Sequence, residues 1–258
     1  MSVSLHHVVE GPDDAPAVVL GCSLGTPLEM WDDQAPALAE QLRLIRIDTR
    51  GHGRSPVPGG PYSIADLGSD VLVLLDRLGI ERASVVGLSL GGMVGMWLGV
   101  NAPERVDRLA LCATSAGFRD PAAWRDRAAK VRAGGTVAVA DAVLERWYTP
   151  AMESERPEAV TRLRSMLLDT PAEGYAGCCE AIADHDLHGR LFEIRAPTAV
   201  IAGAEDPVAP PDAMRADIAD AIPGARMQVI EDARHLANVE RSDRFTELLL
   251  AHLRPEER

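Results

Sequence analysis

Residues 83–92 read Ala83-Ser84-Val85-Val86-Gly87-Leu88-Ser89-Leu90-Gly91-Gly92, and their reading decides the fold. The apolar run ending at Val86 predicts a short buried strand, and Met93 to Val100 predicts a helix immediately after it. A Gly-x-Ser-x-Gly turn between strand and helix is a sharp elbow. It lifts the Ser89 hydroxyl above the sheet and turns the next backbone N–H toward a developing oxyanion. Gly87 and Gly91 suit such a turn, because a side chain at either would collide with a neighbouring strand or helix. The pentapeptide alone is common, and a glycine-rich turn with an incidental serine would also carry it. The strand before it and the helix after it favour a nucleophile.

Outward from the elbow, strand and helix patterns alternate. Strands are expected over 3–9, 17–20, 42–47, 83–86, 108–112, 198–201 and 226–230. Helices are expected over 31–41, 64–78, 92–101, 211–221 and 241–253, with Ser63 capping the second and Asp66 three residues on. Alternation of this kind predicts an α/β fold with a mostly parallel central sheet and helices on both faces. From Phe118 to Arg190 the period is helical, with no good strand and with Pro121, Pro150, Pro157 and Pro171 as punctuation. Residues 118–190 are therefore expected to form a helical cap inserted into a core of 1–117 and 191–258. A cap there sits over the strand ends, where open α/β sheets bind ligands.

The chain has 258 residues and a formal net charge of −13. That balance argues against a nucleic-acid surface or an anionic membrane, both of which need clustered cations. Lys130 is the only lysine among 26 basic residues, a compositional bias. An apolar share of 47% fills a sizeable core. Cys22, Cys112, Cys178 and Cys179 match no zinc spacing, and a bridge between adjacent cysteines is strained, so free thiols in a reducing cytoplasm are expected. The N-terminal residues lack the basic and apolar regions of a signal peptide, and no apolar run nears the roughly 20 residues of a membrane span.

A serine nucleophile needs a base, and the base needs an orienting acid. On an elbow of this type the acid and then the histidine follow the serine in the chain. His6, His7 and His52 precede Ser89, His185 and His188 lie in the insertion, and His252 near the end of the last helix is expected to be solvated. His235 follows a late strand and a short loop, which is the place for the base. Asp206 follows the apolar run 199–203 at the carboxyl end of a strand and is the expected acid; Glu205 is a weaker neighbour, and Asp232 is too near His235 along the chain. The second oxyanion donor belongs to the loop after an early strand, Gly21-Cys22-Ser23-Leu24-Gly25-Thr26, so the N–H groups of Leu24 and Leu90 are the expected hole. The Ser23 hydroxyl also stands within expected reach of a substrate.

With these residues in place, the chain resembles α/β-hydrolases, and within them the 3-oxoadipate enol-lactonases of the β-ketoadipate pathway of aromatic catabolism. Beyond the triad, the resemblance rests on Ser23-Leu24-Gly25-Thr26 with Met30-Trp31, Asp48-Thr49-Arg50-Gly51-His52-Gly53 and Gly60-Pro61-Tyr62. It extends through residues 110–114, Arg146-Trp147-Tyr148-Thr149, Glu173-Gly174-Tyr175, residues 179–182 and His235-Leu236-Ala237-Asn238-Val239-Glu240. Many relatives carry His-Gly where this chain has Cys22-Ser23. Some are fused to a carboxymuconolactone decarboxylase domain, which no segment of these 258 residues resembles.

The resemblance implies hydrolysis of 3-oxoadipate enol-lactone through an acyl-enzyme, with Ser89, Asp206 and His235 as triad and with neither metal nor organic cofactor. That substrate is anionic, so a local cation is required: Arg50, Arg125, Arg127, Lys130 and Arg146 are candidates, each with solvated surface charge as the plainer explanation. Trp124 and Trp147 are candidate pocket walls, with ordinary packing between cap helices as the alternative. A carboxylesterase, a C–C bond hydrolase or a non-catalytic receptor on the same scaffold are the rival functions. The serine at position 89 disfavours a haloalkane dehalogenase, which uses an aspartate nucleophile; a cofactor-free haloperoxidase side activity would use the same triad.

Overall fold

The computed structural model describes residues 2–118 and 120–254. Among these, seven strands form one sheet: β1 (His7–Glu10), β2 (Ala17–Gly21), β3 (Arg43–Ile47), β4 (Ala83–Leu88), β5 (Val106–Cys112), β6 (Thr198–Gly203) and β7 (Arg226–Ile230). Their order is β1-β3-β2-β4-β5-β6-β7. Only β1 is antiparallel to its neighbour; the other pairs are parallel. Every position of β4 and β6 is buried. A strand can be apolar throughout only where both faces of its sheet are covered, and the run of parallel pairs is the cause.

The helices are α1 (Ala35–Ala39), α2 (Ile64–Arg77), α3 (Leu90–Asn101), α4 (Pro121–Gly134), α5 (Ala140–Trp147), α6 (Pro150–Glu155), α7 (Pro157–Asp169), α8 (Ala172–Ala183), α9 (Pro211–Met214), α10 (Ala237–Glu240) and α11 (Ser242–Leu253). Helix α2 opens on a capping box: the Asp66 N–H donates to Ser63 Oγ, and the Ser63 N–H donates to Asp66 Oδ2. It packs on α3, while α1 and α11 pack together, with the Trp31 and Phe245 rings 6.1 Å apart.

Three elements differ from the sequence expectation. The first strand begins at His7, not Val3, because the Val3 N–H donates to Asp70 Oδ1 and the His6 N–H to Ser55 Oγ. Those donors are spent on side chains and leave no ladder. The helix expected over 31–41 divides into a 3₁₀ turn, Leu28–Trp31, and the short α1, whose first turn holds Pro36. The helix expected over 211–221 passes from α9 into a π turn, Arg215–Ala219.

Helices α4 to α8 lie between β5 and β6 in the chain, and α4 packs along α8. Where this segment leaves and rejoins the sheet its ends are tied together. Gly117 bridges to Asp186, and the Leu187 N–H donates to the Ala116 carbonyl at 2.8 Å. Val131, Leu163, Leu167 and Tyr175 of these helices share one continuous apolar core with the sheet. All four cysteines are buried free thiols.

Candidate active site

Ser89 stands between β4 and α3 with φ 55° and ψ −110°. A non-glycine residue there is strained by about 1–3 kcal/mol and persists only where its surroundings hold it. The Ser89 N–H donates to the Cys112 carbonyl at 2.8 Å, and Thr114 Oγ1 donates to the Ser89 carbonyl at 2.7 Å. A Cβ on Gly87 would stand 2.1 Å from the Gly91 carbonyl oxygen, and one on Gly91 would stand 2.4 Å from that of Gly21. No side chain fits at either distance, so both glycines are needed for the elbow to close.

Asp206 follows β6 and is buried. Its Oδ1 accepts the N–H groups of Val208 at 2.7 Å and Ala209 at 3.1 Å. Its Oδ2 lies 2.8 Å from Nδ1 of the buried His235. A carboxylate so placed orients the ring: by accepting from an Nδ1–H it would leave Nε2 with the lone pair that a base needs. Glu205 and Asp232, the other two acids considered, are exposed. Ser89 and His235 line the same cavity.

Ser23 and Leu24 line this cavity too. In the surrounding loop the Ser23 N–H donates to Met30 Sδ, the Gly25 N–H to His52 Nε2 and the Thr26 N–H to the Ser23 carbonyl. At the elbow the Gly91 N–H donates to the Cys22 carbonyl. Neither the Leu24 N–H nor the Leu90 N–H has a partner among the described residues. They are the expected oxyanion donors.

The remaining walls come from α4, α5 and α8: Trp124 and Arg127, then Val143, Arg146 and Trp147, then Tyr175, with Val208 beside the Asp206 loop. The Arg127 guanidinium lies 4.5 Å from the Trp124 ring centroid. Burial pushes the Tyr175 phenol up, against a smaller downward pull from Arg127, so Tyr175 stays neutral. Ser23, Trp124 and Trp147 are thus brought together with the triad candidates.

The cation candidates divide. Arg125 pairs with Asp184. Arg50 is buried and fixed to Asp70 through Nε–Oδ2 at 2.6 Å and Nη2–Oδ1 at 2.7 Å, outside this cavity, so it is a structural ion pair and not an anion site. Lys130 is exposed and does not line the cavity. Arg127 and Arg146 line it, and neither has a carboxylate partner among the described residues.

Three histidines have surroundings that sequence reading missed. His252, expected in solvent, is half-buried with Nε2 shielded and unpartnered, and its pKa is lowered by desolvation. His52 and His185 are buried and held neutral by desolvation, with pKa near 4 for each. Glu240, which closes the stretch after His235, carries no role in the sequence reading. It is buried and accepts hydrogen bonds from the Thr149 N–H at 2.8 Å, from the Thr149 hydroxyl and from the Arg234 N–H at 2.8 Å. Its only sequence signal is an acid directly after the mostly apolar Leu236-Ala237-Asn238-Val239. Among the described residues, no group of three His, Cys, Asp or Glu side chains stands ready to hold a metal, and no helix is long and apolar enough to cross a membrane.

A family model described as the alpha/beta hydrolase fold matches residues 16–242. The chain is 40% identical over 246 residues to 3-oxoadipate enol-lactonase 2 of Acinetobacter baylyi, covering 94% of this chain and 90% of that one. The crystal structure of the enol-lactonase from Burkholderia xenovorans matches with a TM-score of 0.94 at 43% identity, covering 96% of each chain. A Stutzerimonas stutzeri protein named for carbamate hydrolysis, RutD, is 30% identical over 260 residues, covering 98% of this chain and 96% of that one.

Proposed function

Since this chain belongs to the α/β-hydrolase fold family and is similar over nearly its whole length to enol-lactonases, we propose that it hydrolyses 3-oxoadipate enol-lactone with Ser89 as nucleophile. One observation carries the substrate class: Ser89, His235 and two arginines without carboxylate partners line a single cavity. A lactone bearing a carboxylate needs this pairing of a nucleophile with fixed cations. Arg127 and Arg146 hold the carboxylate, and Trp124 and Trp147 bound the ring. Residues 118–190 act as the cap that carries these four side chains over a core of 1–117 and 191–258.

In this reading His235 Nε2 takes the Ser89 proton as Oγ attacks the lactone carbonyl. Asp206 holds the ring and stabilises the imidazolium. The Leu24 and Leu90 N–H groups receive the oxyanion, a contribution of about 3 kcal/mol per donor. Collapse breaks the ring C–O bond. The enol oxygen takes the proton from His235 and, tethered in the acyl-enzyme, the enol ketonises. Water, deprotonated by His235, attacks the ester carbonyl, Ser89 regains its proton and 3-oxoadipate leaves. The steps balance without metal or organic cofactor.

The test is loss of the enol-lactone's ultraviolet absorbance with wild type and Ser89→Ala in parallel. Rapid turnover that Ser89→Ala abolishes supports the proposal. Failure on the lactone beside Ser89-dependent cleavage of a simple aryl ester sinks the substrate and keeps the nucleophile. Carbamate hydrolysis is a second reading, favoured by the 30%-identical relative named for it. A small anionic carbamate assayed beside the lactone separates the two by kcat/KM.

A further inference from the structure

His52 is fully buried in the turn after β3, and no chemistry described so far uses it. Its Nε2 lies 2.9 Å from the Gly25 nitrogen, whose hydrogen points at it. A backbone N–H can only donate, so Nε2 carries a lone pair and the ring proton sits on Nδ1, which lies 3.3 Å from the Arg50 carbonyl. A neutral ring follows from this geometry, and burial favours the same state.

The bond falls at a sensitive place. Gly25 has φ 85°, and a Cβ there would stand 2.7 Å from Leu167 Cδ1 of α7, so glycine suits this turn both in its backbone angle and in its close approach to the helix. Thr26 closes the loop from its other end, with its N–H and its Oγ1 both donating to the Ser23 carbonyl. The N–H of Leu24, left free between these anchors, is one of the two proposed oxyanion donors. The Leu24–Gly25 peptide that follows it is held by the acceptor on His52. Without that acceptor the peptide can rotate, exchanging the positions of the Gly25 N–H and the Leu24 carbonyl and altering the backbone angle at Leu24.

We propose that His52 is a positioning residue for the oxyanion hole: by accepting the Gly25 N–H it presets the Leu24 N–H for charge that develops on the substrate carbonyl oxygen. The inference rests on the Ser89 reading above. It also assigns a use to the Arg50-Gly51-His52-Gly53 turn, which the triad leaves without one.

The test compares wild type, His52→Phe and His52→Gln, with Ser89→Ala as control. Initial rates on an aryl ester and on the lactone give kcat and KM. Inhibition by a small alkyl trifluoromethyl ketone, which adds to a serine hydroxyl as an oxyanion-bearing adduct, is set beside inhibition by 3-oxoadipate, which needs no oxyanion. Removing one donor from such a hole costs roughly 10²-fold or more in kcat. His52→Phe is expected to lose about that factor in kcat and in ketone affinity, with KM and 3-oxoadipate inhibition within threefold. His52→Gln, whose side-chain carbonyl reaches the Nε2 position, is expected to recover at least tenfold of the loss. Ser89-dependent activity that His52→Phe leaves within threefold overturns the inference alone. A loss shared equally by KM and 3-oxoadipate binding does the same, as does His52→Gln no better than His52→Phe. Activity that survives Ser89→Ala overturns the nucleophile reading and this inference with it. If His52→Phe does not fold, His52→Gln against the one-carbon-shorter His52→Asn decides: equal kcat in the two overturns the proposal.

Discussion

Replacing Asp206 with asparagine tests the triad without changing its shape. Oδ1 of Asp206 faces two backbone donors, the N–H groups of Val208 and Ala209. An amide nitrogen placed there would meet two donors, so the Asn carbonyl must take that position. The NH₂ group is then forced into the place of Oδ2, 2.8 Å from His235 Nδ1. A donor at that distance requires Nδ1 to accept, and the ring proton moves to Nε2. His235 then presents an N–H to Ser89 and cannot take its proton. The wrong tautomer in a triad of this type costs about 10⁴ in kcat, or roughly 5.5 kcal/mol of transition-state stabilisation. Stopped-flow or steady-state rates on the lactone measure the loss, and circular dichroism checks that the fold survives. Because an ester ground state makes no use of the base, KM is expected within a few-fold of wild type. A kcat within tenfold of wild type would refute the reasoning and make another acid the orienting group, with Glu205 and Asp232 next to be replaced.

Arg127→Met and Arg146→Met keep most of the apolar stem and remove the charge. Each is expected to raise KM for the anionic lactone by about 10- to 100-fold, from a charged hydrogen bond worth roughly 1.5–3 kcal/mol, and to leave a neutral aryl ester nearly unaffected; equal losses on both substrates would rule out a carboxylate site. Glu240→Ala leaves two N–H groups and a hydroxyl without their acceptor and is expected to cost about 3 kcal/mol in chemical denaturation, with kcat reduced through displacement of the His235 loop. A stability change under about 1 kcal/mol would show water replacing the carboxylate there. His52 and His185 each have a pKa lowered from 6.5 to about 4, so between those values the unfolded chain binds protons that the folded chain refuses. Their contribution is fully present above pH 6.5 and is lost as pH falls toward 4, at up to about 1.4 kcal/mol per pH unit for each histidine. Denaturation midpoints followed over this range are expected to depend less on pH in His185→Gln than in wild type, and an unchanged slope would contradict its buried neutral state.

The parts legible in the sequence are those whose cause is local. Gly87-Leu88-Ser89-Leu90-Gly91 announces its own turn, because the collisions that exclude a Cβ at Gly87 lie within five residues of it. The strands β4 and β6 are continuous apolar runs, and Ser63 with Asp66 spells out the start of α2. Asp206 and His235 were readable from their order after late strands, although their 2.8 Å contact spans 29 residues. What could not be read depends on partners far along the chain. Arg50 looks available for an anion in the sequence, but Asp70, on α2, takes the Nε–Nη2 edge of its guanidinium in a bidentate pair. His252 looks like a solvated helix end, but burial lowers its pKa, against smaller upward pulls from the distant Leu109 and Pro197 backbone. Glu240 reaches back 91 residues to Thr149, a contact with no periodicity to announce it.

Those distant contacts make one mechanical unit of α5 and the loop that carries His235, the proposed base. The Leu236 N–H donates to the Trp147 carbonyl at 2.8 Å, and Arg234 Nη1 donates to the Glu145 carbonyl at 2.6 Å. With Glu240 gripping Thr149 and the Arg234 N–H, the residues on both sides of His235 are bonded to the end of α5. That same end of α5 carries Arg146 and Trp147, the side chains facing the substrate cavity. A shift of α5 that widened the cavity would therefore draw His235 with it. It would loosen the Nδ1–Oδ2 bond to Asp206, which is anchored separately through Val208 and Ala209. Substitutions that resize the pocket through α5 should accordingly lower kcat as well as change KM. Substitutions at Trp124 on α4, a helix with no such bonds to the His235 loop among the described residues, should alter KM with kcat largely kept. The two walls of one cavity thus differ in kinetic consequence, because among the described residues α5 is bonded to the loop of the proposed base and α4 is not.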